Sequence, residues 1–373
     1  MSFIIEKFLK EIEKLDRYIA FSFLILIVGG FIIFTSASLG ILARSDLKFY
    51  NMLQSQLTGI ALAVFLVISI AYFVPHSIYY KYAPYIYAAT LFFTALVFVP
   101  AVNLFHGGAH RWIVVGGVSI QPSEMLKFGI VIITSWMIKK YSKKFSDIKY
   151  GLGLFALIII PAAAIMVKQP DNGTFLIIGG ASFLVYFLGG ARWRDVSIII
   201  ITAIAGVSLL MFTRPYVMDR LTTFMNPEND KLGSSYQTIQ SLIAVGNGGM
   251  VGRGLGQSIQ KFNYLPEPAG DSIFAVASEE LGLFGSVTII SLFIIIAVRG
   301  LIIALQKKET FARSMIIGIS AIFFIQMSLN VASILGLMPL TGVPLPFISQ
   351  GGTAILASTY LIGVLLQLTK KEI

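Results

Sequence analysis

Tyr18-Ile-Ala-Phe-Ser-Phe-Leu-Ile-Leu-Ile-Val-Gly-Gly-Phe-Ile-Ile-Phe-Thr-Ser-Ala-Ser-Leu39 contains no charged side chain. Lipid offers backbone groups no partner outside the segment itself, so such a stretch crosses a hydrocarbon core of roughly 30 Å as a helix. Ser36-Ala37-Ser38 could mimic a signal cleavage site. The length of the run, and the acids Glu6, Glu11, Glu13 and Asp16 before it, point instead to an uncleaved span. Nine further stretches read the same way, giving spans at 18–39, 57–74, 83–101, 123–138, 151–167, 173–188, 195–212, 272–298, 311–336 and 347–369. The expected fold is an all-α polytopic membrane protein of ten transmembrane helices. A large extracytoplasmic loop, 213–271, joins the seventh and eighth within a single domain covering 1–373.

Composition agrees. The 373 residues are 56% hydrophobic and only 12% charged, about half the charge a soluble domain carries. There is no cysteine, and three scattered histidines (His76, His106, His110) make no zinc set. The net charge of +10 sets orientation rather than nucleic-acid binding, because the bases are distributed unevenly between the loops. Seventeen lie on the side of the N-terminus and nine on the other, five of those nine in the long loop. Both termini are therefore expected in the cytoplasm, with Lys139, Lys140, Lys143, Lys144 and Lys149 as the strongest inside marker. The long loop, with its run Gly246-Asn247-Gly248-Gly249, is expected to be packed and partly helical on the outer surface.

Four polar constellations fall on that outer side. In Tyr264-Leu-Pro-Glu-Pro-Ala-Gly-Asp271, followed by Glu279-Glu280, the plain reading of Asp271 is a helix cap. Intramembrane acids, however, usually face a cavity, so Asp271 is also a candidate base and Glu279 and Glu280 are candidate cleft residues or helix ties. Gln121-Pro-Ser-Glu124 and Lys127, with Arg111 and Trp112 before them, form the second group. Glu124 and Lys127 share a helical face just inside the boundary, as an ion pair or as cleft residues. Gln169-Pro-Asp171-Asn-Gly is strong turn chemistry in which Asp171 can cap the next helix. The fourth group, Met338 to Gly352 with three prolines, cannot be continuous helix; it should wall a cleft, leaving Ser349 and the amides of Gly351 and Gly352 to bind oxygens.

No Walker sequence is present, and Gly151-Leu-Gly153-Leu-Phe-Ala156 opens an apolar span rather than following a strand. A group transfer on the outer side must use a donor that arrives activated, and a lipid diphosphate leaves as a stable anion. One base for the attacking hydroxyl plus cations for the phosphates then suffices. Asp271 is the candidate base, and Arg111, Lys127, Arg214, Arg220 and Lys261 are the available cations.

Taken together, Gly108-Ala-His-Arg-Trp112, Gln121-Pro-Ser-Glu124, Gln169-Pro-Asp-Asn-Gly-Thr174, Leu265-Pro-Glu-Pro-Ala-Gly-Asp271-Ser-Ile-Phe-Ala-Val with Glu279-Glu-Leu-Gly282, and Pro339-Leu-Thr-Gly-Val-Pro-Leu-Pro-Phe-Ile-Ser-Gln-Gly-Gly352 resemble the SEDS family (shape, elongation, division and sporulation; the FtsW/RodA type) over nearly the whole chain. Gly254-Leu-Gly-Gln-Ser-Ile-Gln-Lys261 and Ser241-Leu-Ile-Ala-Val-Gly look more like the division branch. The resemblance implies a peptidoglycan glycosyltransferase of the bacterial inner membrane. It would polymerise lipid II onto a lipid-linked glycan strand beside a class B penicillin-binding protein, with the essential aspartate at Asp271 and the fourth-span pair at Glu124 and Lys127. No cofactor is implied, with a divalent cation as an option and no nucleic-acid partner. Expected substrate-binding residues are Arg111, Gln121, Glu124, Lys127, Asp171, Lys261, Glu279, Glu280, Ser349 and Gly351. The chain departs from the family pattern at Ala269-Gly270, where many members carry His-Thr, and at Gln350, where Tyr is frequent. A lipid II flippase would use the same outer cleft, and a non-catalytic scaffold for wall synthesis would need no base.

Overall fold

The computed structural model describes residues 14–43, 45–100, 103–106, 109–115, 118–226, 235–262 and 264–370. Glu6, Glu11, Glu13, Arg44, Gly108 and Lys231 lie outside the described residues. Each expected span overlaps a helix: α1 (Arg17–Leu42), α2 (Asp46–Phe73), α3 (His76–Ala95), α4 (Pro122–Lys140), α5 (Leu154–Lys168), α6 (Asn172–Leu188), α7 (Trp193–Thr213), α10 (Ile273–Gln306), α11 (Thr310–Ile334) and α12 (Gly352–Leu368). By length and composition alone six of them can cross a membrane, α5 doing so together with the π-helical turn before it, while α6 and α12 are shorter apolar helices. The long loop supplies α8 (Pro215–Met225) and α9 (Tyr236–Gly248).

Local chemistry sets the ends. Asp16 caps α1 by accepting from the Ile19 amide, Ser45 accepts from the Lys48 amide and starts α2 well before the expected 57, and Pro122 occupies the first turn of α4. The expected third span ran to 101, but α3 ends at Ala95 in a short 3-10 turn. An antiparallel three-stranded sheet then follows: β1 (Asn103–His106), β2 (Ala109–Val115) and β3 (Val118–Ile120). The all-α reading did not include it. Its signal is the β-branched content of Ile113-Val-Val115 and Val118-Ser-Ile120, too short to stand out beside the apolar spans.

α4 and α11 form the centre: α4 packs on α3, α6 and α11, while α11 also packs on α10 and α6. α7 lies at the margin, with 6% of its apolar window buried. α10 is broken at Gly282, whose φ of 66° and ψ of −163° are not helical. Carbonyls freed by such a break must find partners in a dry environment. The glycine-rich segment after α9 supplies them: the amides of Arg253 and Gly254 donate to the carbonyls of Glu279 and Glu280, each at 3.0 Å, and the Leu283 amide donates to the Gly249 carbonyl at 2.9 Å. A Cβ at Gly252 would sit 2.1 Å from the Glu280 carbonyl oxygen, so only glycine fits this approach.

Candidate active site

Asp271 ends the Pro266-to-Gly270 turn and precedes α10, whose N-cap is Ser272 with no side-chain capping bond. The capping reading of Asp271 is therefore replaced. Its carboxylate is half-buried and enters a cleft of about 730 Å³ between α8, α9 and the segment after α11. Gln237 of α9 donates from Nε2 to Asp271 Oδ1 at 3.2 Å and to Ser272 Oγ at 2.9 Å. Burial pushes the Asp271 carboxyl up to about 6; the Gln237 hydrogen bond opposes that rise and the charge of Glu267 adds to it. Opposite stands Gly342, whose φ of 66° is the left-handed region that favours glycine and whose position places the turn next to Asp271 Oδ2. Arg220 of α8 lines the same cleft and donates from Nη1 to the Leu340 carbonyl at 2.7 Å. Phe224, Ile239, Leu242 and Met338 give the cleft apolar walls.

Behind the carboxylate runs a buried polar chain. Lys127 Nζ lies 2.7 Å from Glu124 Oε2 and donates to Gln326 Oε1 at 2.7 Å. Gln326 donates to the Pro344 carbonyl at 2.9 Å. One turn along α11, Asn330 Nδ2 donates to the carbonyls of Asp271 and Val343, each at 2.8 Å. The fourth-span pair is thus linked through α11 to the backbone that carries Asp271. Both ions are nearly fully buried, and a buried pair gains little net stability after desolvation, which leaves organisation of the site as its physical rationale.

Arg111, Gln121 and Asp171 gather as a second knot. Asp171 caps α6, accepting from the Thr174 amide at 3.3 Å, and also accepts from Gln121 Nε2 at 3.4 Å and Ser123 Oγ at 3.3 Å. Arg111 donates to the Pro170 carbonyl. The start of α6 abuts the Thr341–Val343 turn, since a Cβ on Gly173 would clash with Val343 and Thr341. Among the described residues Arg111 Nε and Thr341 Oγ1 are buried without a hydrogen-bond partner, so unfilled polar capacity lies on both sides of that turn.

None of the ten expected binding residues lines the cleft; Arg111, Gln121, Glu124, Lys127 and Asp171 lie behind it, and the other five are engaged elsewhere. Lys261 Nζ lies 2.6 Å from Glu280 Oε1, both side chains fully buried, and Ser36 of α1 donates to the same carboxylate. Glu279 accepts from the Ile259 and Gln260 amides, each at 3.2 Å, and from the Ser258 hydroxyl. These three ions tie the 258–261 turn to α1 and α10, because a polar turn pressed against apolar helices must satisfy its groups internally. Ser349 Oγ accepts from the Leu345 amide at 2.8 Å. Gly351 is the N-cap of α12, and Gly352 packs on α2 beside Ser55 and Gly59. The proline-rich stretch thus walls the cleft only with Met338, Pro339, Leu340 and Gly342, while Ser349, Gly351 and Gly352 are turned away from it. The two departures from the family pattern touch: the Gln350 amide donates to the Ala269 carbonyl at 2.7 Å. Sequence reading missed Gln237, Gln326 and Asn330, whose neutral amides carry no motif of their own. Among the described residues no group of three or more His, Cys, Asp or Glu converges to hold a metal.

A family model covering FtsW, RodA and SpoVE, described as "Cell cycle protein", matches residues 16–373. The chain belongs to this family. It is similar to "Stage V sporulation protein E" of Bacillus subtilis (strain 168), 35% identical over 87% of this chain and 88% of that protein. It is also similar to the "Probable peptidoglycan glycosyltransferase FtsW" of Geobacter sp. (strain M18), 31% identical over 97% and 99%. A solved structure described as "Structural coordination of polymerization and crosslinking by a peptidoglycan synthase complex" superimposes with a TM-score of 0.77 at 25% identity, covering 95% of this chain and 97% of that one. The fold of the rod shape determining protein RodA of Thermus thermophilus is shared at a TM-score of 0.69, 22% identity and coverage of 95% and 96%.

Proposed function

We propose that the protein is a peptidoglycan glycosyltransferase that polymerises lipid II, with Asp271 as general base. The observation that carries this reading is the Asp271 carboxylate, its pKa raised to about 6 by burial, entering a cleft that joins apolar walls to the polar side chains of Asp219, Arg220, Thr223, Gln237 and Thr238. Asp271 takes the proton of the acceptor GlcNAc 4-hydroxyl as that oxygen attacks the anomeric carbon of the lipid-linked MurNAc. The bond from that carbon to the phosphate oxygen breaks, and undecaprenyl diphosphate leaves with the electron pair. The leaving anion needs no proton, which accounts for one base where glycoside hydrolysis needs two carboxyl groups. Arg220 is the cation placed to meet the diphosphate, and Lys127 holds the far end of the polar chain.

The charge asymmetry of the loops supports ten crossings with both termini in the cytoplasm and the cleft on the outer face of the bacterial inner membrane. A class B penicillin-binding protein is the proposed partner, consistent with the synthase complex whose fold the chain shares. The loop motifs favour the division branch. A flippase would carry polar groups through the full depth of the bundle, whereas the proposed site gathers them at one end.

The test is purified protein with its cognate transpeptidase, given labelled lipid II in detergent and, separately, fluorescent lipid II in sealed vesicles. Glycan polymer in detergent without translocation in vesicles is expected. Translocation without polymer would transfer the site to the flippase reading. Neither product, from folded protein in an intact complex, would leave the scaffold.

A further inference from the structure

Three prolines between Met338 and Gly352 leave that segment short of backbone donors and unable to bond itself as helix. Its buried carbonyls must be met from outside. α11 meets two in succession: Gln326 Nε2 donates to the Pro344 carbonyl at 2.9 Å, and Asn330 Nδ2, one turn on, donates to the Val343 carbonyl at 2.8 Å. The same Asn330 nitrogen also donates to the Asp271 carbonyl at 2.8 Å. Asp271 precedes Ser272, the N-cap of α10. Its carbonyl therefore lies before the first acceptor of the helical ladder and is met by Asn330 instead.

One amide group thus holds both sides of a narrow gap. On one side is the backbone that carries the Asp271 carboxylate. On the other is Val343, next in the chain to Gly342, whose turn lies beside Asp271 Oδ2. Gln237 bonds Asp271 Oδ1 and Ser272 Oγ, both on the Asp271 side, so the tie across the gap falls to Asn330. Stability alone does not account for an amide at this place. Asn330 is 1% exposed in a mainly apolar stretch of α11, and its Oδ1 has no hydrogen-bond partner among the described residues. A buried acceptor in that state is costly, so what the residue contributes lies in its donor nitrogen.

We infer that Asn330 is a positioning residue for the glycosyl transfer: by bridging the Asp271 and Val343 carbonyls it sets how far the base stands from the cleft wall beside it. The inference rests on the reading of Asp271 as that base. Asn330 bonds the Asp271 backbone and not its carboxylate, so its effect passes through where the carboxylate is held. Misplacing a reacting group by about 1 Å can cost on the order of 10²-fold in rate. Loss of the bridge is expected to appear in kcat at that scale, with KM within about twofold of wild type.

The test is labelled lipid II polymerisation by the purified full chain with its cognate transpeptidase. Asn330→Leu keeps the volume and removes the donor; Asn330→Ala leaves room for a water and is read where the leucine variant does not fold. Each is measured alone and in the Asp271→Asn background, on preparations that thermal unfolding shows to be folded. The expected result is a fall in kcat of about 10²-fold when the base is present and of less than about threefold when it is absent, because a positioning residue then has nothing left to position. The same fold-loss in both backgrounds, a loss carried by KM, or a wild-type rate would overturn the inference. Failure of both variants to fold would make Asn330 a residue of stability and overturn it as well. Where Asp271→Asn alone falls below detection, the split between kcat and KM decides. A wild-type rate in Asp271→Asn alone would remove the base, and this inference with it, so the two failures are told apart.

Discussion

Asp271→Asn is expected to lower the polymerisation rate by about 10²–10⁴-fold, the range over which a positioned base contributes, while the protein unfolds at or above the wild-type temperature. The two halves of this expectation share a cause. Burial disfavours the ionised carboxylate, so a neutral amide of the same shape removes an unfavourable charge as it removes the base. Asn330 keeps its place because it meets Asp271 only at the backbone carbonyl and also holds the Val343 carbonyl, and Gln237 keeps its bond to Ser272 and can donate to the side-chain oxygen that the amide retains. Labelled lipid II turnover and thermal unfolding on the same preparation measure both. A folded Asp271→Asn protein that polymerises at the wild-type rate would remove the base from the mechanism.

Lys261→Met is expected to act on stability. Its ammonium and the Glu280 carboxylate are fully buried 2.6 Å apart, with Ser36 of α1 bonded to both. Removing one partner strands the other charge in a dry site, a loss of about 3–5 kcal/mol. The double variant Lys261→Met, Glu280→Gln should recover much of it, because the stranded charge is gone. Unfolding in a mild detergent reads the difference. A Lys261→Met protein of unchanged stability but weakened substrate binding would return Lys261 to the cleft, where the sequence alone had placed it.

The helices were legible because a bilayer imposes a length and a polarity on every crossing segment, and the stretch from Tyr18 to Leu39 carries both. Asp271 stood out as a candidate because an acid beside a proline-stiffened turn next to an apolar span is costly without a use. The partners around it were not. Gln237 and Arg220 come from α8 and α9, whose placement over Asp271 depends on tertiary packing that no local period encodes. Asn330 and Gln326 sit inside an otherwise apolar α11, one turn apart, a spacing visible in the sequence but without a charge to draw attention. The glycines from Gly246 to Gly254 suggested only a compact loop; their task, replacing the hydrogen bonds lost where α10 breaks at Gly282, requires knowing that the two segments meet. Glu279, Glu280 and Lys261 share one end of the bundle with the cleft residues. Proximity in sequence to Asp271 could not separate ions that face the cleft from ions that fasten a turn.

The central claim is that the Asp271 carboxylate accepts the proton, and the pH dependence of kcat/KM for lipid II polymerisation tests it most directly, because that quantity reports the free enzyme. The base works only when ionised. Activity is therefore expected to rise with pH through an apparent pKa of about 6 and to fall about tenfold per unit below it. In Gln237→Ala, which removes the hydrogen bond that lowers this pKa, the same limb should move to higher pH. A profile flat from pH 5 to 7, or a limb that stays in place when Gln237 is removed, would contradict the assignment.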